Sequence, residues 1–373
     1  MACLVAVVCV LLLVHIFVGY PLWMIVRARG APQPVQRQMI TPSVTVVMAV
    51  HDGAAHIQAK LANLAALDYP SDKIDIVVAC DGCRDETATL CRQAGDPRVR
   101  VLEFTERRGK AACLNDAVAL ASGEMLLMMD VRQALEPSAL RELMASLGDP
   151  AVGAVGGELQ LLDPQTGFAR GIDAYWRYET AIRRAESRSG SVVGVSGALY
   201  AMRRALFQPM PPGTVLDDVW VPMHVAAAGY RVVFEPRALA SDRLSQQPHE
   251  ERRRKIRTLA GNYQLVQLAP WLLLPWRNPL WFRFVSHKLL RLMAPWLIVL
   301  LALSVAWLAI DDVFFAVCLA LLLGAVAVVA VGRRLPALGR WMPVRLLTAF
   351  CYLNVFAAQA CVAFVRNRKL HLW

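Results

Sequence analysis

The sequence predicts an α/β domain built around a mostly parallel sheet and joined to transmembrane helices. Three observations predict it. From Ser43 to Asp130, apolar β-rich runs alternate with runs of helical spacing, the pattern of a parallel sheet covered on both faces. One long uncharged segment stands near the front and three stand near the back, each close to the about 20 residues that cross a hydrocarbon core. Clusters of Asp and Arg also fall just beyond the predicted strand ends, where open α/β sheets bind their ligands.

Taken in order, Cys3–Val26 is uncharged and is followed by Arg27 and Arg29. Basic residues on that side predict an uncleaved anchor whose N-terminus lies outside the cytosol, so residues 1–26 are read as a transmembrane anchor. Val44–Val50 is a first strand and Ala54–Leu67 a helix ending at Asp68-Tyr69-Pro70. Ile74–Cys80, Val99–Phe104 and Glu124–Met129 are further strands, separated by helices over Asp85–Ala94 and Lys110–Ala121. Ala151–Arg237 is less regular: a helix through Tyr175–Glu186, a strand through Val192–Met202 with a glycine turn, a helix from Thr214 to Tyr230 carrying Asp217-Asp218, and a strand at Arg231–Phe234. Glu250–Gln267 reads as a basic amphipathic helix, and Trp271, Trp276 and Trp281 among prolines suit a headgroup layer. The expected boundaries are 27–250 for the cytosolic domain, 251–290 for basic interfacial helices and 291–373 for about three spans, over Leu292–Ile310, Val313–Val331 and Leu346–Val365. Three later crossings would put Arg366, Arg368 and Lys369 outside, against the positive-inside trend.

Composition supports the membrane assignment and narrows the partners. Hydrophobic residues are 57% of the 373, and mean hydropathy is +0.41, too high for a wholly soluble chain. The net charge of +11 comes mostly from Lys and Arg flanking apolar spans, so lipid headgroups explain it better than nucleic acid. No basic strip interleaved with aromatics argues for RNA. Nine cysteines are scattered; Cys80-Asp81-Gly82-Cys83 matches CxxC, but no second CxxC or nearby His pair completes a zinc site. Small residues packed at a strand end explain it more simply.

Four clusters carry chemistry. Asp130 ends an apolar strand, so its carboxylate projects from the sheet edge; it caps a turn or, with Mg²⁺ or Mn²⁺, bridges a diphosphate. Its neighbour Arg132 could itself neutralise phosphate. Asp217-Asp218 opens a helix: one Asp is explained by capping, while two beside Trp220 suit a base for an acceptor hydroxyl. Arg254 and Arg257 lie one turn apart on a helix and share a face, as a pyrophosphate or a lipid headgroup would require. Arg107-Arg108-Gly109-Lys110 precedes a helix N-terminus, where anions bind, or forms an exposed basic turn. Asp52 and Asp81-Gly82 occupy two more strand ends, whereas His51 and His224 have no metal partner and read as packing residues.

These residues together resemble family 2 glycosyltransferases. Val47–Gly53, Ile76–Thr87, Gly109–Asn115, Asp130 and Asp217-Asp218 carry the likeness, closest to membrane-embedded synthases of cellulose, chitin, hyaluronan and poly-N-acetylglucosamine. The resemblance implies a GT-A fold, a nucleotide-sugar donor (usually UDP-linked), a divalent metal and an inverting displacement. It implies that Asp81 contacts the nucleoside, that Lys110 lies beside the nucleotide, and that Asp52 belongs to the donor site. It makes Asp130 the first acid of Asp-x-Asp and Asp218 the base, and it puts Arg254 and Arg257 on the Gln-x-x-Arg-Trp motif. Arg132 stands where Asp-x-Asp has its second acid, and Thr258 stands where the Gln-x-x-Arg-Trp motif has the Trp on which a growing polymer's terminal sugar would stack.

The expected protein is an inner-membrane inverting transferase moving sugar to a polysaccharide or lipid-linked acceptor. Asp217, Trp220 and Thr258 are expected at the acceptor side, with membrane lipids and other polysaccharide-synthesis subunits as partners. The alternative is a non-catalytic, nucleotide-sugar-binding subunit of a synthase complex. A transporter is disfavoured because the spans carry almost no charge.

Overall fold

A computed structural model describes residues 1–162, 167–243, 248–339, 341–367 and 372. Arg368 and Lys369 lie outside the described residues. The helices are α1 (Ala2–Gly30), α2 (Ala54–Ala65), α3 (Thr87–Gln93), α4 (Lys110–Ala119), α5 (Ala139–Leu147), α6 (Gly167–Arg188), α7 (Asp217–Ala227), α8 (Pro248–Leu268), α9 (Trp281–Leu308), α10 (Val313–Arg334) and α11 (Met342–Arg366). The strands are β1 (Val44–Val50), β2 (Ile74–Asp81), β3 (Val99–Phe104), β4 (Met125–Met129), β5 (Ala134–Leu135), β6 (Val152–Leu162), β7 (Leu199–Arg203) and β8 (Arg231–Arg243).

All eight strands form one sheet in the order β3-β2-β1-β4-β7-β6-β8-β5. β1 pairs in parallel with both β2 and β4, and β2 with β3. The chain therefore winds outward through β2 and β3, then returns to β1's other side. That reversal puts the ends of β1 and β4 side by side, the switch point at which such sheets open a crevice. β7 is antiparallel to β4 and to β6, while β6 and β8 are parallel. β1 explains the two-layer cover: Val44, Val46, Met48 and Val50 enter one core and Val47 and Ala49 the other, all buried.

The first four strands and the helices between them follow the expected spacing. Helix α3 starts at Thr87 rather than Asp85, because Asp85 Oδ1 accepts the Thr87 N–H (3.1 Å) and stays outside as a cap. The second half departs further. The strand expected over Val192–Met202 shortens to β7, since Val192–Gly197 turns toward α7 and Val195 N–H donates to the Asp218 carbonyl (2.9 Å). β8 runs well past Phe234, because its far end pairs with β6 and β5. Three elements were not anticipated: the two-residue β5, β6, whose glycines obscure its pattern, and α5, whose apolar face covers β6 and β8.

Among the described residues, four helices are long and apolar enough to cross a membrane: α1, α9, α10 and α11. α1 packs along α9. At the end of that contact a buried polar cluster joins them to α6: the Tyr20 hydroxyl and His287 both meet Glu186, and His287 and Arg291 both meet Glu179.

Candidate functional site

At the end of β2 the chain must turn sharply under the loop before α4. Gly82 has φ +58°, and a Cβ there would lie 2.6 Å from the Arg107 nitrogen. Asp81 is fully buried, and its carboxylate accepts the N–H groups of Arg108 (2.6 Å) and Gly109 (2.9 Å). Gly109, at φ +89°, then starts α4 and leads into Lys110. Asp81 thus fixes the Arg107–Lys110 loop through its backbone. Each of its oxygens accepts a protein N–H group.

Lys110 is the centre of the cluster. Its ammonium lies 3.0 Å from Asp130 Oδ1 and 3.2 Å from Asp217 Oδ2. Burial works against that charge, but Asp130 and Asp217 more than offset it and hold the Lys110 pKa above the usual lysine value. Asp218 follows on the first turn of α7. Burial and the neighbouring Asp217 raise its pKa to about 6, against the pull of Lys110 and Lys288. The Lys110 cation offsets part of the repulsion among the carboxylates gathered around it.

The Val192–Gly197 turn closes over this cluster. A Cβ at Gly197 would come within 3.4 Å of Lys110 Nζ and 3.8 Å of Asp218 Oδ2. Arg257 approaches from α8: burial lowers its pKa from the ordinary arginine value, opposed by Asp130 and Asp217. α8 is held against the Asp217 segment by Gln264, which donates to the Gly213 carbonyl (2.8 Å) and accepts from Val215 N–H (2.9 Å). Arg254 and Thr258 are exposed on the same helix.

Other expected residues are placed differently. Arg132, expected to neutralise phosphate charge, is paired with Asp242 on β8 (2.5 Å). Trp220 packs in the core, 7% exposed, with its ring 4.4 Å from that of His224; this corrects its assignment to the acceptor side. Asp52 sits apart at the end of β1, exposed and at φ +47°, with Oδ1 accepting the Arg84 N–H (2.8 Å). His51 bonds the Asp81 carbonyl (2.7 Å), and all nine cysteines are free.

Three residues were missed. Tyr200 on β7 is fully buried beside Asp217 and Asp218. Asp242 engages Arg132. Lys60, 2% exposed, donates to the Gln133 carbonyl beneath the Asp130 turn. Only Lys60 left a signal, as a lysine on the apolar stripe of Ile57, Leu61 and Leu64. Tyr200 and Asp242 come from strands whose pairing the sequence did not disclose.

A divalent ion fits this set through one protein oxygen. Asp130 is about one-third exposed, and its inner oxygen faces the Lys110 ammonium. Mg²⁺ commonly takes one or two carboxylates, with substrate phosphates and water completing the shell. Asp52, Cys83 and Asp85 also converge within 4.8 Å, but their carboxylates already accept the N–H groups of Arg84, Ala54 and Thr87.

Known proteins resemble this chain in sequence and fold. An N-acetylglucosaminyltransferase of Azorhizobium caulinodans is 26% identical over 247 residues, covering 62% of each chain. A poly-beta-1,6-N-acetyl-D-glucosamine synthase of Staphylococcus aureus is 25% identical over 203 residues, 52% of this chain and 48% of that one. The chain thus spans 48 to 62% of the length of these curated relatives. A mannosyltransferase from Pyrobaculum calidifontis, solved with GDP-Man and Mn²⁺, superposes with a TM-score of 0.76 at 25% identity, over 98% of this chain and 99% of that one. The α/β domain has the GT-A fold. Residues 42–261 match the family described as Glycosyltransferase like family 2, and the chain, with more than half its length in that match, belongs to it.

Proposed function

We propose that the chain is an inverting glycosyltransferase of the cell inner membrane, moving a sugar from a nucleotide-sugar donor to a polysaccharide or lipid-linked acceptor. The observation that carries this reading is the convergence of Lys110, Asp130, Asp217 and Asp218 beyond the sheet's switch point, with Asp218 poised near pH 6. In the proposed step Asp218 accepts the acceptor's hydroxyl proton. The acceptor oxygen bonds to the anomeric carbon from one face. The bond to the diphosphate oxygen breaks on the other, and the nucleoside diphosphate leaves with the electron pair.

Lys110, Arg257 and Arg254 supply positive charge where the leaving group develops its negative charge. A bound Mg²⁺ or Mn²⁺ at Asp130 would add Lewis-acid neutralisation of the diphosphate. Asp81 acts at one remove by fixing the Arg107–Lys110 loop, and Arg132 by holding the β8 end through Asp242. The names of the relatives favour an N-acetylglucosamine donor, and the mannosyltransferase makes GDP-mannose the next donor to test.

The test is nucleoside-diphosphate release by the purified protein in lipid vesicles across a panel of nucleotide sugars, with and without chelator, beside Asp218→Asn. Release from one donor, abolished in the variant, supports the reading and names the sugar. Release that survives in Asp218→Asn removes Asp218 as the base. Silence across the panel, with lipid and oligosaccharide acceptors supplied, favours a non-catalytic sugar-nucleotide-binding subunit.

A further inference from the structure

α11 has the length and composition of a membrane span, yet it packs against α8 and α6 of the α/β domain. Near its start, a Cβ on Gly332 of α10 would lie 2.9 Å from Val344. Further on, the Arg333 guanidinium at the end of α10 lies 5.8 Å from the Tyr352 ring. The Phe350 ring packs edge-on against Phe17 of α1 at 5.1 Å. The Phe17 carbonyl in turn accepts from the hydroxyl of Tyr178 on α6, a helix of the α/β domain (2.9 Å). So Phe350 sits at the level where the membrane anchor meets that domain.

The far half of α11 meets the same domain again. Gln359 Oε1 accepts from Arg252 on α8 at 3.0 and 3.2 Å. The Phe364 ring stacks on Tyr263 of α8 at 5.8 Å. Phe350 and Phe364 are 14 residues apart, about 21 Å along a helix at 1.5 Å per residue. A helix crossing the bilayer would carry Phe364 most of the way through the roughly 30 Å hydrocarbon core. Here both residues touch elements on the domain side.

We propose that α11 does not cross the membrane but lies in the plane of the leaflet facing the α/β domain. Val355 and Val362, 49% and 46% exposed, point its uncovered apolar surface toward lipid, while Phe356, Ala357 and Ala360 are buried. The bilayer surface is the partner this face fits. The chain then crosses three times, through α1, α9 and α10. Arg366 falls on the same side as Arg27, Arg333 and Arg334, in keeping with the positive-inside trend. α8 is left between two layers: its Arg252 and Tyr263 meet α11, and its Arg257 meets the acidic cluster. The bilayer surface thereby fixes the height of the arginine helix over the candidate site.

Sidedness tests the proposal directly. An epitope fused after Trp373 is probed with a membrane-impermeant protease in sealed right-side-out and inverted vesicles. A second epitope in the Asp311-Asp312 turn marks the far side. The expected result is cleavage of the Trp373 epitope only in inverted vesicles and of the turn epitope only in right-side-out ones. Cleavage of both from the same side would overturn the proposal. Depth gives a second reading that needs no fusion. Spin labels on Val355→Cys and Val362→Cys, read against the unsubstituted chain, should lie at equal depth. In a crossing helix they would differ by about 10 Å.

Discussion

Along β3-β2-β1-β4 every pair is parallel, whereas β7 runs antiparallel to β4 on one side and to β6 on the other. The first region supplies Asp81, Lys110 and Asp130 from loops that each follow a strand directly. The second supplies Asp217, Asp218 and Arg257 from segments brought in over β7 and α8. The difference is one of dependence. A loop on a parallel strand is positioned by its own strand, while Asp218 relies on the Val192–Gly197 turn, on Gln264 of α8 and, through α8, on α11.

The comparison predicts that chemistry fails from the second region and binding or folding from the first. The largest effect is expected at Asp218. Asp218→Asn should lower turnover by roughly 10³-fold, within the range for general bases, with donor affinity measured by calorimetry within about twofold of the parent. Comparable loss of affinity would show that Asp218 serves the donor instead.

Lys110→Met should come next. It strips the cation from Asp130 and Asp217 and should destabilise the domain by about 2–4 kcal/mol at pH 7.5. The loss should shrink near pH 5 as carboxylates left without their cation take up protons, which thermal unfolding at the two pH values would detect. A pH-independent loss would mean the lysine matters only as packing.

Asp81→Asn is smaller. An amide cannot accept from both the Arg108 and Gly109 N–H groups as a carboxylate does, and a lost buried acceptor costs about 1–3 kcal/mol. Donor KM should rise while kcat changes little, because the loop and not the base is disturbed. A fall in kcat at unchanged KM would break the division between the two regions.

The smallest effect is a gain. Asp218 titrates at about 6 when folded, above an ordinary Asp at about 3.9, so ionising it costs stability. The cost is absent below about pH 4, grows as pH rises and is complete above pH 6. Asp218→Asn should therefore stabilise the inactive protein by about 1–3 kcal/mol at pH 7.5 and by almost nothing at pH 4. In the active parent, kcat should climb with pH through about 6 as the base deprotonates. A flat profile there would put the base elsewhere.

What could be read in advance follows the same boundary. Strands β1 to β4 are continuous apolar runs with regular helical spacing between them, so their order and the residues ending them were visible. β6 carries glycines at 153, 156 and 157 and could not be recognised from its pattern. With β6 unseen, the pairing of β8 and the meeting of Asp242 with Arg132 were hidden too. Trp220 beside two carboxylates suggested an acceptor-side residue; α7 turns it into the core against His224.

The sequence by itself determined the α/β class, the apolar helices and the set of carboxylates and arginines, because periodicity and composition are local properties of a chain. Only the tertiary structure decided which charges meet. Lys110, Asp130 and Asp217 converge on one ammonium although more than 100 residues separate the first from the last, and Arg132 spends its charge on Asp242. It also supplied the contacts on which the proposed in-plane course of α11 rests. Apolar length is the same for a helix that crosses a bilayer and one that lies along it, and the contacts of Phe350 and Phe364 are what distinguish them.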